Sequence, residues 1–462
     1  MTAIAGERRR TTVVAAVLMV VMGLAAASMA VVGVVTLSNS REGEAVGIDD
    51  RPRQSFPVTP NGLLAIHDDE GRLTSLIVVT LLPGGQGGSI VTVPVNADSS
   101  AGFGLQRRPL DQSFAPDDVE GLVASVEEML SITIERASVV GPDALAALLA
   151  DVDTLELVLP QDVVNSTGDG DDADDTDDGE RDDEPSGGSE NGDVVVTAGP
   201  QTLTRQQIVD VLTASDATQD AYAQHRIDVE VWAALARTAP VVSPPEPVTT
   251  DEAGNPTLPG SVRELLARMW EGEVGVRDLA TVRLVASENP TDEDVVLLDR
   301  RDVALVFAQI SPGLVSTATT GMRVRVVAPF TTEQLAAAGY ASSSELLLDF
   351  IGAMMFVQAS VVSIDSTPTG ADEVTVLEVT QASRLGDISS AEALFGPSEV
   401  GVAETVIDGV DLVVVLGTAY LTRDDGSAEP DDTTPDTATT LESTDADGTI
   451  GTVGSDGTSG DG

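Results

Sequence analysis

The chain has 462 residues, with 76 acidic against 24 basic side chains and a formal charge of -52. Every basic residue is Arg, Cys is absent, and the two His are His67 and His225. These counts exclude thiol nucleophiles, disulfides, Cys-ligated zinc, a three-His zinc site, Schiff-base chemistry and a Walker-A lysine; the charge argues against nucleic acid as a partner.

Residues 1–10 end in Arg8-Arg9-Arg10, and an uncharged apolar run follows from Thr11 to Leu37. A bilayer-spanning helix needs about 20 apolar residues, so 11–37 is expected to be a single transmembrane helix. The arginines before it predict a cytoplasmic N-terminus and an extracytoplasmic remainder, a cell-membrane localisation. A cleaved signal peptide ending near Ser28-Met29-Ala30 is the competing reading, although the apolar run continues past that point. Residues 38–62, with Pro52, Pro57 and Pro60, read as a stalk.

Two apolar runs, Leu73–Leu82 and Ser89–Pro94, flank Pro83-Gly84-Gly85-Gln86-Gly87-Gly88 and predict a strand pair joined by a tight turn. Val119, Leu122, Val123, Val126 and Leu130 form a helical stripe. Ile132–Val140 is then expected as a strand, Asp143–Leu149 as a helix and Thr154–Pro160 as a strand, an order that implies a layered α/β domain. From 166 to 192 the chain carries twelve acidic residues against Arg181 alone and is expected to be a disordered insertion. A calcium-loop reading of it fails because Pro185 stands where the closing Glu belongs.

Beyond it the patterns predict a strand at Asp193–Ala198 and helices at Thr204–Leu212, Asp220–Arg237 and Val262–Met269. A Pro-rich loop, 240–259, lies between the last two helices. A strand at Thr281–Val285 and a helix at Arg301–Gln309 follow. A second module starts near Gly321, with strands at Arg323–Val327, Ser360–Ile364, Glu373–Val379 and Val410–Leu416, and helices at Thr332–Ala337 and Ser343–Met355. Met354, Met355 and Phe356 are expected in the core, as are Trp232 and Trp270. Residues 424–462 read as a disordered acidic tail.

The order of these segments resembles a known family. Arg72-Leu-Thr-Ser-Leu-Ile-Val-Val-Thr-Leu-Leu-Pro83 with Ile90-Val-Thr-Val-Pro94 looks like the opening strand pair of the LytR-CpsA-Psr cell-envelope domain. Val119–Leu130 with Ile132-Thr-Ile-Glu135, and Ala198-Gly-Pro-Gln-Thr-Leu-Thr204, are similar to segments that follow in it. Val410-Asp-Leu-Val-Val-Val-Leu-Gly-Thr-Ala-Tyr420 looks like the closing strand of a LytR C-terminal domain. The resemblance implies an LCP-like α/β domain over 63–312 and a smaller α/β module over 321–421. It also implies a polyprenyl-linked glycan or wall polymer as partner, and transfer of phosphoglycan to peptidoglycan with arginines, acidic residues and magnesium.

The chain departs from that pattern at the reacting positions. Thr74 stands where the family carries a metal-binding Asp, and Pro94-Val95-Asn96 replaces Pro-Arg-Asp. Asp210–Ser215 contains no Arg, and Gln224-His225-Arg226-Ile227-Asp228 keeps one Arg of an Arg-x-x-Arg-Gln pattern. Phosphoryl transfer depends on cations that neutralise developing charge, so the expectation is a non-catalytic binding or scaffold protein with no catalytic residues, resident metal or cofactor. The alternative is a divergent active transferase, with magnesium, that gathers Arg107, Arg108 and Arg226 around Asp98 or Asp228. Candidate ligand-binding residues are Arg107, Arg108, Arg226, His225 and Asp228. Against them stand plainer expectations: Arg107 and Arg108 as a surface pair balancing Asp111 and Asp117, His225 and Asp228 as an exposed pair one helical turn apart, and His67–Glu70 as a polar turn.

Overall fold

A computed structural model describes residues 50–100, 107–165, 193–215, 221–238, 259–283, 294–317, 321–388 and 392–423. The expected membrane helix, the cytoplasmic segment, most of the stalk, the acidic insertion, most of the Pro-rich loop and the acidic tail lie outside these residues. Among the described residues no helix is long and apolar enough to cross a membrane.

In chain order the first lobe holds β1 (Arg53–Gln54), β2 (Asn61–His67), β3 (Leu73–Leu81), β4 (Gly88–Thr92), α1 (Leu110–Ser113), α2 (Val119–Leu130), β5 (Ala137–Val140) and α3 (Pro142–Leu148). Next come β6 (Thr154–Leu159), β7 (Val163–Asn165), β8 (Asp193–Val196), β9 (Gly199–Thr204), α4 (Arg205–Leu212), α5 (Ala221–Thr238) and α6 (Val262–Met269). It closes with β10 (Val274–Asp278), β11 (Thr281–Arg283), β12 (Val296–Leu298) and α7 (Arg300–Ile310). The central sheet has the order β10-β4-β3-β2-β5. β3 is antiparallel to β2 and β4, and the two outermost strands run parallel to their neighbours.

β3 is buried along its whole length, which its unbroken apolar run anticipates for a strand covered on both faces. Leu64, Ile66, Ile77, Val79 and Leu81 face a core shared with α3 to α6 and the β6–β9 ribbon. Leu63, Ala65, Leu76 and Val78 face the other side, against α2 and α7. This is the alternation that a two-residue period imposes. The strand pair predicted from the glycine-rich joint is the β3–β4 hairpin, in which Gly85 and Gly87 adopt positive φ.

Three expectations change. Ile132–Val140 is a strand only from Ala137. Ser131 caps α2 in the left-handed conformation and the chain turns aside, so Ile132 and Ile134 enter the core without joining the sheet. The strand at Thr154 pairs with β9 alone and is not part of the central sheet. Residues 51–61 are not a free stalk: β1 pairs in parallel with a strand near residue 406.

The second lobe comprises β13 (Arg323–Val327), α8 (Thr332–Ala337), α9 (Ser343–Phe356), β14 (Ser360–Asp365), β15 (Thr375–Val379), α10 (Glu392–Phe395), β16 (Ser398–Val402), β17 (Val406–Ile407), β18 (Leu412–Val415) and α11 (Thr418–Leu421). Its sheet has the order β14-β13-β18-β15-β16. Phe350, Phe395 and Tyr420 meet in one aromatic cluster inside it. Met354 belongs to this core, but Met355 is 39% and Phe356 89% exposed. Successive helical residues are about 100° apart, so a run of three cannot all face one side. Helix α7 serves both lobes, with Val303, Val306 and Phe307 in the first core and Leu305 and Ala308 in the second. The described residues through Leu421 form one compact unit.

Candidate functional site

Helix α5 carries the stretch that the resemblance marks for reaction. It lies on the sheet with Ile227, Val231, Trp232 and Leu235 fully buried. His225 and Asp228 are buried as well, each 3% exposed, so the expected exposed pair is not formed. Each has its own partner. His225 Nε2 lies 2.7 Å from Asp278 Oδ1 at the end of β10, and Gln224 Nε2 donates to Asp228 Oδ1 at 3.2 Å. Burial pushes the Asp228 carboxyl well above its usual range; hydrogen bonds from Ser75 and Gln224 oppose that shift without cancelling it. Trp232 Nε1 donates to Ser75 Oγ at 3.4 Å, tying the indole to the same cluster. Arg226 points the other way and is exposed, with no hydrogen bond or ion pair among the described residues.

Thr74 and Asn96 are the residues that the resemblance sets at the acidic metal-ligand positions. Thr74 is 3% exposed and its hydroxyl bonds to the carbonyl oxygens of Leu212, at 2.8 Å, and Ile66, at 3.2 Å. Asn96 is 1% exposed and donates from Nδ2 to Asp294 Oδ2 at 3.2 Å. The Thr74 hydroxyl is engaged in the fold, while Asn96 Oδ1 is buried with no hydrogen-bond partner among the described residues; both are neutral oxygens, a poor match for a magnesium site, which favours anionic ones. Among the described residues no three His, Asp or Glu side chains converge as metal ligands.

Arg107 and Arg108 separate. Arg107 donates from a guanidinium nitrogen to Asp98 Oδ2 at 2.6 Å, so its partner is Asp98 and not the expected Asp111 or Asp117. Burial pushes the Asp98 carboxyl up, but hydrogen bonds from Ser100, Arg107 and Arg108 outweigh it and hold it below its usual value. Arg108 contributes its backbone N–H, 3.3 Å from Asp98 Oδ1, while its side chain is exposed. The His67–Glu70 segment is the polar turn expected: Asp68 accepts from the backbone of Glu70 and Arg72 and from the Arg72 guanidinium.

Four of the five candidates divide between the two faces of the central sheet; the side chain of the fifth, Arg108, is exposed. His225, Arg226 and Asp228 ride on α5, which packs on one face. Asp98 and Arg107 line a cavity of about 1140 Å³ beside α2 and α7, which cover the other. A smaller cleft of about 450 Å³ lies where β6 and β9 meet α5, lined by Glu156, Val158, Gln201, Glu230 and Arg237 among others. The large cavity, and the partners Ser75 and Asp278, had no signal in the sequence. They come together from segments separated by 50 residues or more, and β10 is too short to show a pattern.

No protein-family model matches the chain, and no curated protein matches it. Among solved structures it is similar to B. subtilis TagV, at 15% identity and a TM-score of 0.36, over 57% of this chain and 100% of that one. It is also similar to B. subtilis TagT, at 16% identity and a TM-score of 0.34, over 55% of this chain and 91% of that one. A structure described as TagT bound to LIIa-WTA matches with the same values. Similarity at this level decides neither fold nor activity.

Proposed function

We propose that this chain is a membrane-anchored, extracytoplasmic protein of the cell envelope. In this reading it keeps the architecture of the glycopolymer transferases it resembles and binds a polyprenyl-linked glycan or wall polymer without transferring it. The observation that carries the non-catalytic reading is the cluster on α5. Asp228 and His225 are sealed under the helix with a hydroxyl, an amide and Asp278 for company, and among the described residues no guanidinium bonds to them. Phosphoryl transfer needs cations aimed at the oxygens where charge accumulates; losing one donor at such a site costs about 3–4 kcal/mol of transition-state stabilisation. Thr74 and Asn96 remove the acidic ligands as well.

The rival reading, an active transferase with relocated groups, requires Arg107, Arg108 and Arg226 around one carboxylate. The placement of Arg107 and Arg226 on opposite faces of the sheet counts against it, as does the closed Asp98–Arg107 pair. The full chain in nanodiscs, given magnesium, a polyprenyl-pyrophosphate glycan and peptidoglycan, should release no polyprenyl phosphate and attach no glycan. Transfer that disappears in Arg107→Gln or Arg226→Gln would establish the rival. Labelling of an engineered Cys on either side of the 11–37 run in intact cells tests the orientation: residues beyond it should react with an impermeant reagent.

A further inference from the structure

The cavity of about 1140 Å³ lies on the face of the sheet away from α5, between α2, β12, α7, α9 and β14, where the two lobes meet. Its size matches the few hundred to about a thousand Å³ of sites that enclose small organic ligands. Met129, Leu298, Phe307, Ile351, Met355 and Val361 give it a largely apolar wall. Two charged side chains on this wall have no partner among the described residues: Arg300, the first residue of α7, and Glu128, near the end of α2. Both are exposed, so they stand where the cavity meets water. The third and fourth charges, Arg107 and Asp98, neutralise each other at 2.6 Å.

Two further features converge there. Ser131 and Gln358, the two residues other than glycine with positive φ among the described residues, both line this cavity. Both are residues at which a helix ends, Ser131 capping α2 and Gln358 following α9, and they place two helix C-termini on the cavity wall. At the end of α9, Met355 lines the cavity while the next two residues, Phe356 and Val357, are 89% and 51% exposed. Consecutive apolar side chains running from a cavity wall into solvent suit a ligand whose own apolar part passes between membrane and protein.

We propose that this inter-lobe cavity binds a zwitterionic amphiphile: a molecule with one apolar chain, held against the aliphatic and aromatic wall, and a head carrying both a cationic and an anionic group. The head's anion meets Arg300 and its cation meets Glu128. A purely anionic head would face the unpaired Glu128 carboxylate, and a purely cationic one the Arg300 guanidinium, so the pair discriminates by repulsion as well as attraction. This site is independent of the α5 cluster; its membrane source of ligand rests on the anchoring proposed above.

The test uses the full chain in nonionic detergent and a lysophosphatidylethanolamine with a diazirine in its acyl chain, photolysed and mapped by mass spectrometry. Adducts are expected on cavity residues such as Met129, Ile351 and Met355. Ala304→Trp, which fills the cavity, should reduce them at least tenfold, and Arg300→Gln and Glu128→Gln about threefold or more each. Met355→Trp provides a second block if Ala304→Trp melts at a lower temperature than the parent chain. Matched lysophosphatidylglycerol and alkyl-trimethylammonium probes should label at least fivefold less. Adducts confined to residues 11–37, or unchanged by both filling variants, overturn the site. Equal labelling by the anionic or cationic probe overturns the zwitterion assignment.

Discussion

Asp228 illustrates how one residue's surroundings are set by what lies beneath its helix and not by its spacing along the chain. His225 and Asp228 have the spacing of neighbours on a helix face, but which face they occupy depends on the sheet beneath α5. Their neighbours there are Ser75 and Asp278, not solvent. The consequence is measurable. Asp228 stays protonated in the folded chain over a range where the unfolded chain, with a carboxyl near 3.8, ionises. Its contribution to stability is therefore complete below that value and declines as pH climbs toward the elevated folded value, by up to about 1.4 kcal/mol per pH unit. Asp228→Asn keeps an acceptor for Gln224 and cannot ionise. Relative to the parent it should gain stability with rising pH, checked by urea unfolding at several values from about pH 4 to about pH 8. A difference that does not change with pH would refute the buried, protonated carboxyl. Beside it, Trp232 is wholly enclosed; Trp232→Ala should cost about 3–5 kcal/mol by cavity formation, read from the same unfolding curves.

At the level of elements, legibility followed local signals. The bounds predicted for α6 and β13 coincide with those observed, and the α2 stripe spans the observed helix. The two helices carry side-chain caps: Asp118 accepts from Gly121 N–H and Ser261 from Glu264 N–H. Missed were β2, β9, β10 and β16, whose residues lack a run long enough to declare a strand and are held by neighbours distant in sequence. The glycine-rich joint was read as a turn, and its glycines differ sharply in what they tolerate. A Cβ on Gly88 would run into the Thr80 carbonyl oxygen, whereas one on Gly84 meets nothing within 4 Å. Gly88→Ala should therefore cost about 3 kcal/mol by overpacking against backbone, while Gly84→Ala should be neutral or stabilise by up to about 1 kcal/mol. Thermal melts of the two variants side by side check this; equal effects would mean the hairpin packs differently.

For the whole molecule, the segment near the expected membrane anchor is tied to the far end of the chain. Val406 N–H donates to Pro52 O and Asp408 N–H to Gln54 O, both at 2.9 Å. Arg51 donates to the carbonyl oxygens of Ala403 at 2.7 Å and Thr380 at 2.6 Å, and Phe56 packs on the cluster of Ile407 and Val410. Together with α7, which belongs to two cores, this strap links the lobes. Arg51→Ala should destabilise the fold by about 1–3 kcal/mol through the unpaired carbonyls it leaves. Hydrogen exchange should show faster exchange at the Val406 and Asp408 amides before the central sheet responds; unchanged protection there would mean the strap carries no load.

From the residues alone came the mixed α/β character, the helices with caps and stripes, and the hairpin. Those properties depend on composition and on neighbours within a few residues, where hydrogen-bond geometry and the two periods act directly. Only the tertiary structure decided that β6 leaves the central sheet, that Met355 and Phe356 face out, that His225 pairs with Asp278, that Arg107 pairs with Asp98, and that a cavity opens between the lobes. The place of β6, the His225–Asp278 pair and the cavity are contacts between segments far apart in the chain, set by which surfaces the packed sheets leave over; the Arg107–Asp98 pair spans nine residues but is not marked by any periodic pattern.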